Sequence, residues 1–160
     1  MQRILNLMAV GLIAVGIAVG AGGVMAMGGG GGGGGPVSPE STYAQAVEKV
    51  KAKDYASAIL LLRSVVAQQP RNADALNYLG FSYRESGDLE NAMEAYRRAL
   101  AVDPNHKRAN EYLGELYVRL GDLPKAEAQL AKLDRLCSFG CAEYEELKRK
   151  IAALRRRRGS

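Results

Sequence analysis

Few side chains in this sequence could do covalent or metal chemistry, and two of them stand together. Cys137 and Cys141 are the only cysteines, in the run Cys-Ser-Phe-Gly-Cys. That spacing excludes a Cys-x-x-Cys redox site, and without an adjacent histidine haem attachment is excluded as well. Zinc would need two further ligands, and none is close in sequence. A local disulfide is the first reading in an oxidising compartment, with Gly140 letting the chain fold back. Free thiols are the second reading and a metal site the third. Closing so short a loop gains little from entropy, so a bond there would mainly fix the segment that follows it.

The single histidine, His106, lies in a polar turn after Pro104, where exposure is expected. Acid–base or triad chemistry needs a histidine or paired acids in a pocket. Here the carboxylates fall mainly on helix surfaces and caps, and none forms a pair set apart. Gly-x-Ser-x-Gly, His-Glu-x-x-His and Walker-type patterns are absent. The sequence therefore predicts a protein that is not an enzyme, with no catalytic residues, no cofactor and no metal.

Charge divides the chain into unlike parts. Residues 1–35 hold one charged side chain, Arg3, and every other charge lies from Glu40 onward. Setting aside Arg3 and the four arginines at 155–158 leaves 17 basic residues against 17 acidic ones. The net charge of +5 is thus a property of the two ends, not of a basic face. Nucleic acid is not an expected partner, because nothing supplies a basic stripe along the fold. The four-arginine end reads as a solvated helix terminus whose cations suit the negative pole of the dipole.

Met1-Gln2-Arg3, an apolar stretch from Ile4 to Val19 and small residues around Val24-Met25-Ala26 are the parts of a secretory signal peptide. The alternative for residues 1–27 is an uncleaved membrane anchor, since Ile4–Met27 carries no charge and is long enough to cross a bilayer. Either reading exports the rest, to the periplasm or to the outer side of a membrane. Eight glycines, Gly28–Gly35, a flexible coil spanning about 15 Å on average, then begin a linker over residues 28–38.

The remaining residues repeat with a period of 34. Leu79-Gly80 matches Leu113-Gly114, Tyr83 matches Tyr117, and Gly87-Asp88-Leu89 matches Gly121-Asp122-Leu123. One period earlier, Asp54 falls on Asp88, Ala58 on Ala92 and Pro70 on Pro104. Each period reads as two amphipathic helices. Leu76, Leu79, Gly80 and Tyr83 recur on one helical face. Gly87 ends that helix, Asp88 caps the next, and Asp103-Pro104-Asn105 stops it. Small residues at Gly80 and Ala92, Gly114 and Ala126, and Ala46 and Ala58 predict close helix crossings. One hairpin cannot bury its apolar face alone, so neighbours must stack.

This pattern resembles the tetratricopeptide repeat family. The matching features are a small residue at position 8 of each unit, an aromatic at 11, an alanine at 20 and a proline at 32. The resemblance covers residues 39–140 and departs at Lys49, where the aromatic belongs, and at Ser138, where the proline belongs. It implies an all-α, right-handed solenoid of three hairpins, at 39–72, 73–106 and 107–140. A capping helix at 141–155 would present Tyr144, Leu147, Ile151 and Leu154 to the last unit, followed by a basic tail at 156–160.

The same resemblance assigns the first helix of each unit to a concave peptide-binding surface. Carried over by register, that surface holds Tyr43 and Val47 in the first unit, and Asn77, Tyr78, Phe81 and Arg84 in the second. The third supplies Arg108, Glu111, Tyr112, Glu115 and Arg119. Aromatics interleaved with arginines anchor protein partners. A clamp for a partner's C-terminal carboxylate is not expected, because only Arg108 is basic among the positions that would form it. The implied function is a non-catalytic adaptor holding a peptide or helix of a cell-envelope protein. The rivals are a self-associating assembly protein, hence a homo-oligomer, and an accessory chaperone for envelope protein or cofactor assembly.

Overall fold

Residues 38–138 and 140–159 are described in the computed structural model. The export segment at 1–27 and all of the linker but Ser38 lie outside them. Seven α-helices follow in order among the described residues: α1 Pro39–Lys51, α2 Tyr55–Gln68, α3 Ala73–Glu85, α4 Leu89–Val102, α5 Lys107–Leu120, α6 Leu123–Leu136 and α7 Ala142–Arg158. None is long and apolar enough to cross a membrane.

The helix starts are set by short polar side chains. Ser38, Asp54, Asn72, Asp88, His106 and Asp122 each accept a hydrogen bond from the backbone N–H three residues on. Caps of this kind contribute about 1 kcal/mol each relative to alanine. Between the helices of a hairpin the chain turns through one left-handed residue. In the second and third units that residue is glycine, Gly87 at φ 90° and Gly121 at φ 75°. In the first unit it is Lys53, at φ 59°.

Consecutive helices pack as hairpins, and the odd-numbered helices also touch one another: α1 meets α3, α3 meets α5, and α5 meets α7. The even-numbered helices make no such contacts among the described residues. That asymmetry is curvature. The odd helices crowd along the inner face and the even helices splay along the outer one, as in a helical solenoid.

Two cores share α4. Ala95 and Ala99 face Ala46, Ala58, Leu62, Val65, Leu76 and Leu79 of the preceding helices. Ala92 and Tyr96 face Leu113, Leu116, Ala126, Leu133, Leu147 and Ile151. The small residues allow the close approaches. A Cβ on Gly80 would stand 2.7 Å from the Tyr96 ring, within its own hairpin. A Cβ on Gly114 would stand 2.4 Å from Leu147 and 3.2 Å from Gln129. The tightest neighbour of Gly114 therefore comes from α7, not from the partner helix of its hairpin. The helix α7 also runs further than the sequence suggests. It takes in Arg156, Arg157 and Arg158, so the basic tail is mostly its last turn.

Candidate functional site

Register puts the groove-facing aromatics within reach of one another. Tyr43 and Tyr78 meet edge to face with ring centroids 5.9 Å apart, bridging the first two units. Phe81 and Tyr112 lie 5.2 Å apart, bridging the second and third. Two rings outside the sequence-derived set join them. Tyr55 approaches Phe81 at 6.1 Å, and buried Tyr96 approaches Tyr112 at 6.1 Å. Tyr43 and Tyr78 lean on the first core and Tyr112 on the second, so these rings are shared between packing and surface. Phe81 sits between Tyr55, which it meets edge to face, and Tyr112, which is tilted against it, and the Arg84 guanidinium covers both Phe81 and Tyr112 at 5.3 and 5.2 Å. Burial, with Asp74 and Tyr78 alongside, pushes the Tyr43 phenol up to about 12. Burial and Glu111 also raise Tyr112, so these rings present neutral hydroxyls at neutral pH.

The charged positions divide into two kinds. Arg108 and Arg119 are exposed, with the Arg119 guanidinium donating to the Arg84 carbonyl at 2.9 Å. Arg84 and Glu115 are engaged internally. The Glu115 side chain is only 4% exposed, and its two oxygens accept from Arg84 of α3 and Lys150 of α7. Arg84 also pairs with Glu85 at 3.1 Å, and Lys150 with Glu146 at 3.3 Å. One carboxylate thus ties three inner helices together, a link sequence register could not supply. Asn77 and Glu115, assigned to the groove surface, are 2% and 5% exposed and offer little free area. Val47 is half-buried at the first-unit end.

Cys137 and Cys141 are joined, with Cα atoms 5.7 Å apart, and Gly140 turns between them at φ 80°. Cys137 is the C-cap of α6 and Cys141 the N-cap of α7, so the bond pins the start of the last helix. His106 departs from its sequence reading: its side chain is 13% exposed rather than free in solvent. Its Nδ1 accepts from the Ala109 N–H at 3.1 Å, which leaves Nε2 to donate to Asp74 at 3.0 Å. The ring caps α5 and latches it to α3, a structural role that the polar turn around it concealed. Among the described residues no three His, Cys, Asp or Glu side chains gather as metal ligands.

Hairpins in unbroken register, with an inner face of aromatics and a packed closing helix, define a helical-repeat protein-interaction module. Two tetratricopeptide repeat family models match, one over residues 43–101 and the other over residues 83–151, and the chain belongs to that family. Comparison with curated proteins finds no significant match. Among solved structures, the chain resembles the tetratricopeptide repeat domain of Sgt2 from Aspergillus fumigatus. Identity is 23% and TM-score 0.68, over 76% of this chain and 79% of that one. It resembles PcrH in complex with the chaperone binding region of PopD at 21% identity and TM-score 0.67, over 74% and 92%. It also resembles the first repeat domain of Spaghetti (RPAP3) bound to the HSP90 peptide SRMEEVD, at 17% and 0.65, over 72% and 92%. Likenesses at these identities describe the fold.

Proposed function

We propose that the protein is a non-catalytic adaptor that holds an extended segment or helix of a cell-envelope protein against its concave face. The observation that carries this reading is the aromatic row itself. Tyr43, Tyr78, Phe81 and Tyr112 span all three units and remain partly exposed after the cores are filled. Rigid aromatics beside an arginine are the side chains that concentrate binding energy at protein interfaces. Similar folds bind peptides, as in PcrH with its PopD region and Spaghetti with its HSP90 peptide. The envelope location draws support from the signal-like residues 1–27 and from the Cys137–Cys141 bond, which persists in oxidising compartments.

The test is capture from membrane and periplasmic extracts on residues 36–160, beside a Phe81→Ala/Tyr112→Ala variant whose fold is checked by circular dichroism. A photo-crosslinking residue at Val47, in the groove, is compared with one at Leu60 on α2. A partner crosslinked from Val47, not from Leu60, and lost by the folded variant supports the adaptor. Equal capture by both baits sinks it. A second reading, self-association, draws on Leu60 and Leu120, which are 68% and 48% exposed. Sedimentation showing a strict monomer removes it.

A further inference from the structure

Two polar side chains in the groove floor stand unpaired. Asn77 and Glu111 hold the same place in consecutive units and are 2% and 8% exposed. Asn77 Oδ1 has no donor, and Glu111 has no hydrogen bond or ion pair among the described residues. The Glu111 side chain is mostly buried while its carboxylate oxygens stay open to the space beside them, so an unpaired carboxylate kept on a binding face points to a partner from outside. Glu111 lines a notch of about 310 Å³ between α5 and α7, together with Arg108, Tyr112, Ala142, Glu143 and Glu146.

The charges acting on Glu111 are Glu115 on α5 and Glu143, Glu146 and Lys150 on α7, and Arg108 of α5 lines the same notch. Lys150 is taken by Glu115 and Glu146, and Arg84 by Glu115 and Glu85. Glu146 also meets Arg149. Within the notch three carboxylates face one guanidinium, that of Arg108, which is exposed on the lip. Burial first, then Glu115 and Glu143, pushes Glu111 up to about 7. A cation arriving with a ligand would offset the cost of burying this charge and the repulsion from its neighbours.

We propose that this notch is the cation-binding end of the peptide groove, taking an arginine or lysine side chain of the bound segment with Glu111 as counter-ion. The proposal rests on the concave face being a peptide groove and adds the chemistry of its occupant. Glu143 and Glu146 form the rim, and the Tyr112 ring offers a face to the same cation. Phe81, against Tyr112, takes the apolar side chain next along the segment. An acidic segment is disfavoured here, because its carboxylates would meet three others.

The test is selection of a random peptide library on the full chain and on its Glu111→Gln and Glu143→Gln variants. Glu111→Gln removes a repelled buried charge, so it folds, and thermal denaturation checks this. The native chain should enrich peptides with one arginine or lysine at a fixed distance from an apolar residue. Replacing that arginine by citrulline should weaken binding to the native chain about tenfold, and to Glu111→Gln less than about threefold. Selected peptides that are acidic, or that lose equally to both proteins on the citrulline exchange, overturn the cation notch while leaving the groove intact. A library yielding no peptide that competes at Phe81 overturns the groove reading, and the notch with it.

Discussion

At the α1–α2 end, Ala46 and Ala58 let two helices close over Leu62 and Val65, and charge stays outside, as in the exposed Lys49–Asp54 pair at 3.2 Å. At the α5–α7 end, aliphatic packing of Leu147 and Ile151 is joined by a buried carboxylate with two cations and by a covalent bond. Arg155 also pairs with Glu127 at 2.7 Å, and Arg158 donates to the Gly121 carbonyl. Among the described residues the first end is a whole hairpin, whose two helices bury each other's faces, and the last is a single helix, α7, on which no further helix packs. The repeat pattern suffices where a hairpin packs; where one helix must be seated alone, this chain adds charge and a disulfide to fix its position.

The largest test of that contrast is Leu147→Ala. Leu147 is fully buried and fills the space left by Gly114, so its loss should cost about 4 kcal/mol. In a solenoid each unit contacts only its neighbours, so the damage should stay local. Hydrogen exchange should rise in α7 and α5 while α1 and α2 keep their protection. Uniform loss across all seven helices would mean that the ends are not independent.

Glu115→Ala comes next. It leaves Arg84, whose side chain is 11% exposed, beside the rings without its main counter-charge, and Lys150 without its anchor on α5. Removing one partner of a buried pair costs about 3 kcal/mol. Chemical denaturation of Glu115→Ala against Lys49→Ala, which breaks only an exposed pair worth under about 1 kcal/mol, measures the contrast directly. Equal effects would show that charge positions neither end.

Glu111 gives the comparison a pH axis. Its folded value of about 7 lies above its ordinary value near 4.5, so between those limits the folded chain binds more protons than the unfolded one. Its contribution is therefore full below about 4.5 and is lost as pH rises through about 7. Glu111→Gln should match the native chain at pH 4 and exceed it at pH 8 by on the order of 2 kcal/mol. Thermal melts at the two pH values read the difference. A variant less stable at pH 8 would mean that Glu111 has a partner in the free protein.

How much of this was legible in the sequence follows from the range of each interaction. Helix starts at Asp54, Asp88 and Asp122 and the turn glycines are decided within a few residues, and they read directly. The aromatic row is set by the 34-residue register, so Tyr43, Tyr78, Phe81 and Tyr112 could be placed from the repeat. The link from Glu115 to Arg84 and Lys150 joins residues 31 and 35 positions apart on three helices. Side-chain direction decides it, and periodicity carries no such information. The same holds for His106, whose bond to Asp74 crosses 32 positions.

The smallest effect concerns the turn that departs from the pattern. Lys53 holds the left-handed place that glycine takes at Gly87 and Gly121. A side chain there costs about 1 kcal/mol in the folded state, since Cβ crowds the following carbonyl. Lys53→Gly removes that crowding but loosens the unfolded chain, which returns part of the gain. The net should be a stabilisation of about 0.5 kcal/mol, and Gly87→Ala should lose about 1 kcal/mol by the same logic. Denaturant midpoints of the pair read both signs. A loss for Lys53→Gly would mean that the lysine stem itself packs usefully at this end. The first unit's departure from glycine would then be part of how that end is closed, and the contrast with the charge-seated end would narrow.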